Sequence, residues 1–311
     1  MPDRFRPGIL ICFYMKIRTG LAIILLAINS SLFAQEYLSR ADELFYARDR
    51  YQECESLLQS SLPSAETSVQ KAEILWRLAR VYYMCGENLT KRSEKREFYA
   101  KCEDYANQAR ALNPSSPDAI IWHSAGIGRE CVTGGLIGLA TKGPMVINDL
   151  LTILDKLGRT DYSSAWEAFA NVYYYHPLKS TDTSVNFARK AVLTIPASEN
   201  KIETYAYLAR LLYERNWSSE KRTASSVRNA PKFRGSFKSV VDKYEYFDGG
   251  LGADYFLQWS QSSLGSISDR REAQDIVKYA ASLYESLPKR TATDDKEYAD
   301  MMEMYKSWSG K

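Results

Sequence analysis

The segment Ile74–Pro114 constrains this chain more than any other, because it encodes two helices whose apolar faces cannot bury each other completely. Leu75, Leu78, Ala79 and Tyr82 fall at i, i+3, i+4 and i+7, which gives one helix an apolar stripe with a small residue at its centre. Tyr105, Ala106, Ala109 and Leu112 repeat the pattern on a second helix, and Asn113-Pro114 ends it. A pair built this way needs a neighbour, so the pattern is expected to recur.

It recurs downstream. Trp122, Ala125, Gly126 and Arg129 keep the spacing of the first helix, as do Trp166, Phe169, Ala170 and Tyr173, and then Tyr205, Leu208, Ala209 and Leu212. The triplet Leu78-Ala79-Arg80 returns as Leu208-Ala209-Arg210, and Tyr105-Ala106…Ala109…Pro114 is mirrored by Phe187-Ala188…Ala191…Pro196. A large residue followed by small ones lets helices approach closely, and each proline closes one unit before the next.

This alternation resembles the tetratricopeptide repeat, a helix-turn-helix of about 34 residues. An earlier copy fits Leu38–Pro63, with Phe45, Tyr51, Cys54 and Leu58 at the large and small positions. The resemblance covers Gln35 to Asn216 in four to five degenerate units. It departs from the pattern in a polar insertion near Asn88–Glu97 and at Arg129, where an aromatic is usual. It implies an all-α, right-handed solenoid of stacked hairpins over residues 35–216. Residues 217–311 are then a helical extension and cap, with Arg271–Leu287 and Asp294–Trp308 as its helices. The order Leu150–Leu157, Trp166–Tyr175, Phe187–Pro196 and Tyr205–Tyr213 is also similar, more weakly, to the T-component family of tripartite periplasmic transporters. That likeness implies an oligomeric pore or cleft for small, often apolar ligands, or a transporter component as partner.

The N-terminus lies outside the repeats. Met15-Lys16-Ile17-Arg18 precedes the apolar run Gly20–Phe33, and Ala34-Gln35 is a plausible cleavage point, with Leu32 larger than ideal before it. Residues 1–34 thus read as a signal peptide starting at Met15, and the chain as periplasmic or secreted. The apolar run is short of the roughly 20 residues a membrane span needs. An uncleaved leader would tether the chain to a membrane, and no cysteine stands at the cleavage point to carry a lipid. Without residues 1–34 the chain has 37 basic and 37 acidic residues. Bulk charge therefore offers no argument for nucleic acid.

Sequence chemistry points away from catalysis. The two histidines, His123 and His176, lack companions at metal-ligand spacing, and no hydrolase, metalloprotease or paired C-x-x-C motif occurs. The glycine-rich stretch Thr133–Pro144 has Pro144 where a phosphate loop needs its lysine, and reads instead as an apolar connector before a helix Met145–Leu157. No cofactor or metal is expected. Cys54 and Cys102 occupy small-residue packing positions, whereas Cys85 and Cys131 lie near the ends of successive first helices and could approach each other. An enzyme would have to place its site among the aromatics and acids of Tyr244–Trp259.

The expected function is binding of a protein or peptide partner. In stacked hairpins the first helices line the concave side, and residues not spent on packing face a groove. That set includes Trp76, Arg80 and Tyr83, then His123, then Asn171 and Tyr174, then Arg210 and Tyr213. Tyr83, Tyr174 and Tyr213 form one expected column and Arg80, Asn171 and Arg210 another, residue types suited to interfaces and to carboxylates or peptide backbone. One asymmetric charge block stands apart: eight basic residues between Arg215 and Lys243 face only Glu220 and Asp242. It reads as a solvated face or as a contact for an acidic partner or anionic surface.

Overall fold

The computed structural model describes residues 36–176 and 180–308, so the expected leader and Pro177 lie outside the described residues. Among the described residues the chain is helical, apart from one antiparallel pair, β1 (Phe256–Leu257) with β2 (Ser262–Ser263). The helices are α1 (36–46), α2 (Tyr51–Ser61), α3 (Ser68–Glu87), α4 (Arg92–Leu112), α5 (Pro117–Leu151) and α6 (Ser163–Tyr175). They continue with α7 (Thr181–Leu193), α8 (Ile202–Arg215), α9 (Ser219–Phe233), α10 (Val240–Tyr244), α11 (Phe247–Leu251), α12 (Asp269–Glu285) and α13 (Ala292–Trp308).

Local chemistry sets these boundaries. Thr67 and Gln70 form a reciprocal capping box at the start of α3, and Ser116 with Pro117 opens α5. Ser218 and Ser268 cap α9 and α12, while Asn216, at φ 52°, closes α8 in the left-handed region. The apolar stripe of α3 is buried as its spacing predicts: Leu75, Leu78, Ala79 and Tyr82 all lie in the interior. Each of the larger ones contributes about 1.5–3 kcal/mol by leaving water.

Neighbouring helices pack in sequence from α2 to α8. Three apolar clusters result: one from α1 to the start of α5, a small one between α3 and α4, and a large one from α5 to α13. Trp166 sits fully buried in the large one, with ring centroids 5.9 Å from Phe187 and 4.8 Å from Tyr244.

Two expectations need correction. The stretch 133–144 is not a connector, because it continues α5 through a break at Gly135, whose φ of 66° and ψ of −150° suit glycine alone. The chain doubles back there, since Lys142 pairs with Glu130 and Asp149 pairs with His123 across the two arms. Gly138 presses on the Cys131 carbonyl so closely that a Cβ would stand 2.7 Å from it. The second correction concerns α8. Its partner is α12, not the helix that follows it, and α9 packs on α11 instead. The inward face of α9 is Arg222, Ser225, Ser226 and Asn229, too polar to cover the apolar side of α8. Ala273, Ile276, Val277 and Ala280 of α12 can do so. The aromatic run after Tyr244 forms one short helix, α11, and the β-hairpin.

Cys54, Cys85, Cys102 and Cys131 are free thiols. Burial pushes Cys54 and Cys85 up to about 11, so both are protonated at neutral pH.

Candidate functional site

The residues expected to line a groove mostly stitch one first helix to the next. Arg80 of α3 is 5 % exposed, donates to Asp42 of α1 at 2.5 Å and lies 3.8 Å over the Phe45 ring. Trp76 is buried beside Arg77, which holds Asp42 through two 3.0 Å contacts. Tyr83 packs 5.5 Å from Trp122 of α5, and its hydroxyl accepts from Arg129 Nε at 2.9 Å while Arg129 also reaches Glu87. Farther along, the Arg210 guanidinium of α8 lies 5.7 Å from the Tyr174 ring of α6. Tyr213 of α8 stacks on Trp308 of α13 at 4.3 Å and 4°. Asn171 donates to the Glu167 carbonyl one turn back on its own helix. His123 turns elsewhere: it is buried, with Nδ1 2.5 Å from Asp149 Oδ2 and 2.6 Å from Arg110 Nη1. That trio lies near an open cleft of about 430 Å³ lined by Asn107, Arg110, Ile120 and Asn148.

The surfaces left over meet in a polar interior where both ends of the described chain come together. Thr293 of α13 donates to the Tyr46 carbonyl at the end of α1. The Glu203 amide at the start of α8 donates to Glu297 Oε2 of α13 at 3.3 Å, and Asn200 donates to Asp294 at 3.1 Å. Thr204 donates to Glu167 of α6 at 2.6 Å. The Glu203 side chain meets solvent, yet burial on its flanks raises it, with Arg48 and Arg129 opposing that shift and Asp300 and Glu87 adding to it. Glu167 is raised by burial and then by Glu203. Glu297 is raised by burial and then by Glu203, to about 8. Glu203 thus lies within electrostatic reach of Glu87 (α3), Arg129 (α5), Glu167 (α6), Glu297 and Asp300 (α13), and of Arg48 in the turn after α1. Among the described residues no cluster of three or more His, Cys, Asp or Glu could hold a metal ion.

A second polar constellation escaped sequence reasoning. Arg189 (α7) and Arg222 (α9) both bind Glu272 of α12, and Trp259 Nε1 donates to the same carboxylate at 3.1 Å. Arg215 grips Asp269 through contacts of 2.7 and 2.8 Å. Burial alone would raise Glu272, but the charges of Arg189 and Arg222 overcome it and hold the carboxyl at about 2. Beside it, Asp248 accepts from Ser225 at 2.8 Å and Asn229 at 2.9 Å. The cavity between these groups is about 10 Å³, room for roughly one water. The available signal was charge inside an apolar stripe, Arg189 between Ala188 and Ala191, and Glu272 beside Ala273. Within Tyr244–Trp259, Asp248 is bound to Ser225 and Asn229 of α9, Trp259 to Glu272, and the rings of Tyr244 and Phe247 pack 5.0 Å apart.

The chain matches the protein family described as Regulator of microtubule dynamics protein 1-3 over residues 37–133. That is just under a third of the 311 residues, running from α1 to the end of the first arm of α5. No curated protein matches the sequence. Among the described residues no helix is long and apolar enough to cross a membrane.

Proposed function

We propose that this chain is an exported, tetratricopeptide-like binding and scaffold protein that takes a protein or peptide partner in its polar interior and performs no catalysis of its own. The observation that carries this reading is the grouping of Glu203 (α8), Glu297 (α13), Arg129 (α5) and Arg48, in the turn after α1, within electrostatic reach of one another, where Thr293 and Glu203 tie α13 to α1 and α8. Among the described residues Arg48, Glu203 and Glu297 form no ion pair, and charged groups of this kind can hold peptide backbone or basic side chains. The likeness of residues 37–133 to a family whose name denotes regulation supports an interaction role in the repeat region.

The test uses residues that face the interior, not buried Arg80. The double variant Glu203→Lys with Arg48→Glu is compared with the unaltered chain in pull-downs from the exported fraction, with circular dichroism as the folding control. The expected result is capture weaker by about tenfold or more at unchanged helicity, as for reversed charges at an interface. Undiminished capture by the variant would remove the interior from the binding surface.

A further inference from the structure

The basic block between Arg215 and Lys243 divides in two. Arg215 and Arg222 turn inward to Asp269 and Glu272. The other six remain outside. Lys221, Arg228, Lys232, Arg234 and Lys238 are exposed, Lys243 is half-buried, and none of the six forms an ion pair among the described residues. Helix α9 is therefore two-faced. Its inner side carries Arg222, Ser225, Ser226 and Asn229, while its outer side sets Ala224, Val227 and Pro231 between Lys221, Arg228 and Lys232.

Apolar side chains break this surface at two points. Val227 on α9 is 66 % exposed and Phe256 on β1 is 61 % exposed. The β-hairpin docks beside the first turn of α9, where Thr223 donates to the Gly265 carbonyl at 3.1 Å and Gly265 lies against Ala253. Gly249 of α11 braces α9 from within, so close that a Cβ there would stand 2.2 Å from the Asn229 carbonyl carbon. The helix that carries Val227 and the cations and the hairpin that carries Phe256 are therefore packed together.

We infer that this part of the molecule, the outer face of α9 with the segment after it that carries Lys238 and strand β1 of the hairpin, docks on an anionic membrane surface, with Lys221, Arg228, Lys232 and Lys238 against lipid headgroups and Val227 and Phe256 entering the interface. An outward convex helix face lacks the pocket that an acidic peptide would need. Cations flanking exposed apolar side chains are the arrangement that binds a charged interface and inserts into it. The site is separate from the polar interior and does not depend on the partner proposed there.

The test is co-sedimentation of the full chain with vesicles of phosphatidylcholine alone and of phosphatidylcholine with phosphatidylserine. Retention is expected only on the anionic vesicles, weakening as salt rises. The variant Arg228→Glu, Lys232→Glu, Lys238→Glu carries the same residues 1–34, so any retention they cause is common to both proteins. Each cation is expected to contribute about fivefold, so the triple reversal should abolish the anionic preference. Phe256→Ser with Val227→Ser should bind at low salt and release at lower salt than the unaltered chain. Should the triple variant lose helicity, Arg228→Gln with Lys232→Gln takes its place, with a smaller loss of the same sign expected. Equal retention of variant and unaltered chain, equal retention on both vesicle types, or capture by polyglutamate without vesicle binding would each overturn the inference.

Discussion

The hydroxyl of Thr293, at the start of α13, donates to the backbone carbonyl of Tyr46, at the end of α1, over 3.0 Å. Nearly the whole described chain lies between these residues, so the contact ties the first hairpin to the last helix. Only Met301 of α13 is fully buried, which leaves the helix held largely by edges: Tyr213–Trp308, Tyr284–Tyr298 and the polar contacts of its first turn. Trp308→Ala is expected to cost about 1–2 kcal/mol, from the lost aromatic pair and its apolar area. Thermal denaturation should show a lower midpoint with helicity at low temperature almost unchanged.

Glu272 is the hub of the buried arginines. Removing its charge strands Arg189 and Arg222 in the interior, so Glu272→Ala should destabilise the chain by about 3–5 kcal/mol in urea unfolding. A loss below about 1 kcal/mol would mean that the guanidiniums find other partners.

The same carboxylate sets an acid limit. Its folded value of about 2 lies below the ordinary 4.5, so its contribution is fully present above 4.5 and is lost as pH falls from there toward 2. Stability measured across that interval should fall with acidification in the unaltered chain and fall less steeply in Glu272→Gln, from a lower starting level.

Glu297 works in the opposite sense. Burial and Glu203 raise it to about 8 from 4.5, so folding takes up a proton between these values. Its contribution is present below 4.5 and lost as pH rises through 8. Glu297→Gln keeps an acceptor for the Glu203 amide and carries no charge. Above pH 8 its melting midpoint should exceed that of the unaltered chain, and the difference should vanish near 4.5.

Gly249→Ala probes the junction that braces α9. The added methyl would overlap the Asn229–Ala230 backbone, and backbone cannot step aside as a side-chain tip can. A loss of about 2–3 kcal/mol is expected, read by chemical denaturation. An unaffected midpoint would show that α11 slides on α9.

The helices themselves were legible in the order of residues. Periodicity at Leu75–Tyr82 and Tyr105–Leu112 and stops at Pro114 and Pro196 are local features, and local geometry follows from them. The sequence by itself thus determined an all-α chain and most of its helix–helix order through α8. Tertiary structure decided what each polar residue faces. Spacing puts Arg80 and Arg210 in equivalent positions, yet Arg80 is buried on Asp42 while Arg210 lies over Tyr174, because their neighbours come from different helices. Spacing likewise groups Arg215 and Arg222 with Arg228 and Lys232, although the first two face carboxylates of α12, some fifty residues away. A helix repeats its own pattern every few residues, but the charge it meets belongs to another part of the chain, and only the packed molecule brings that part near.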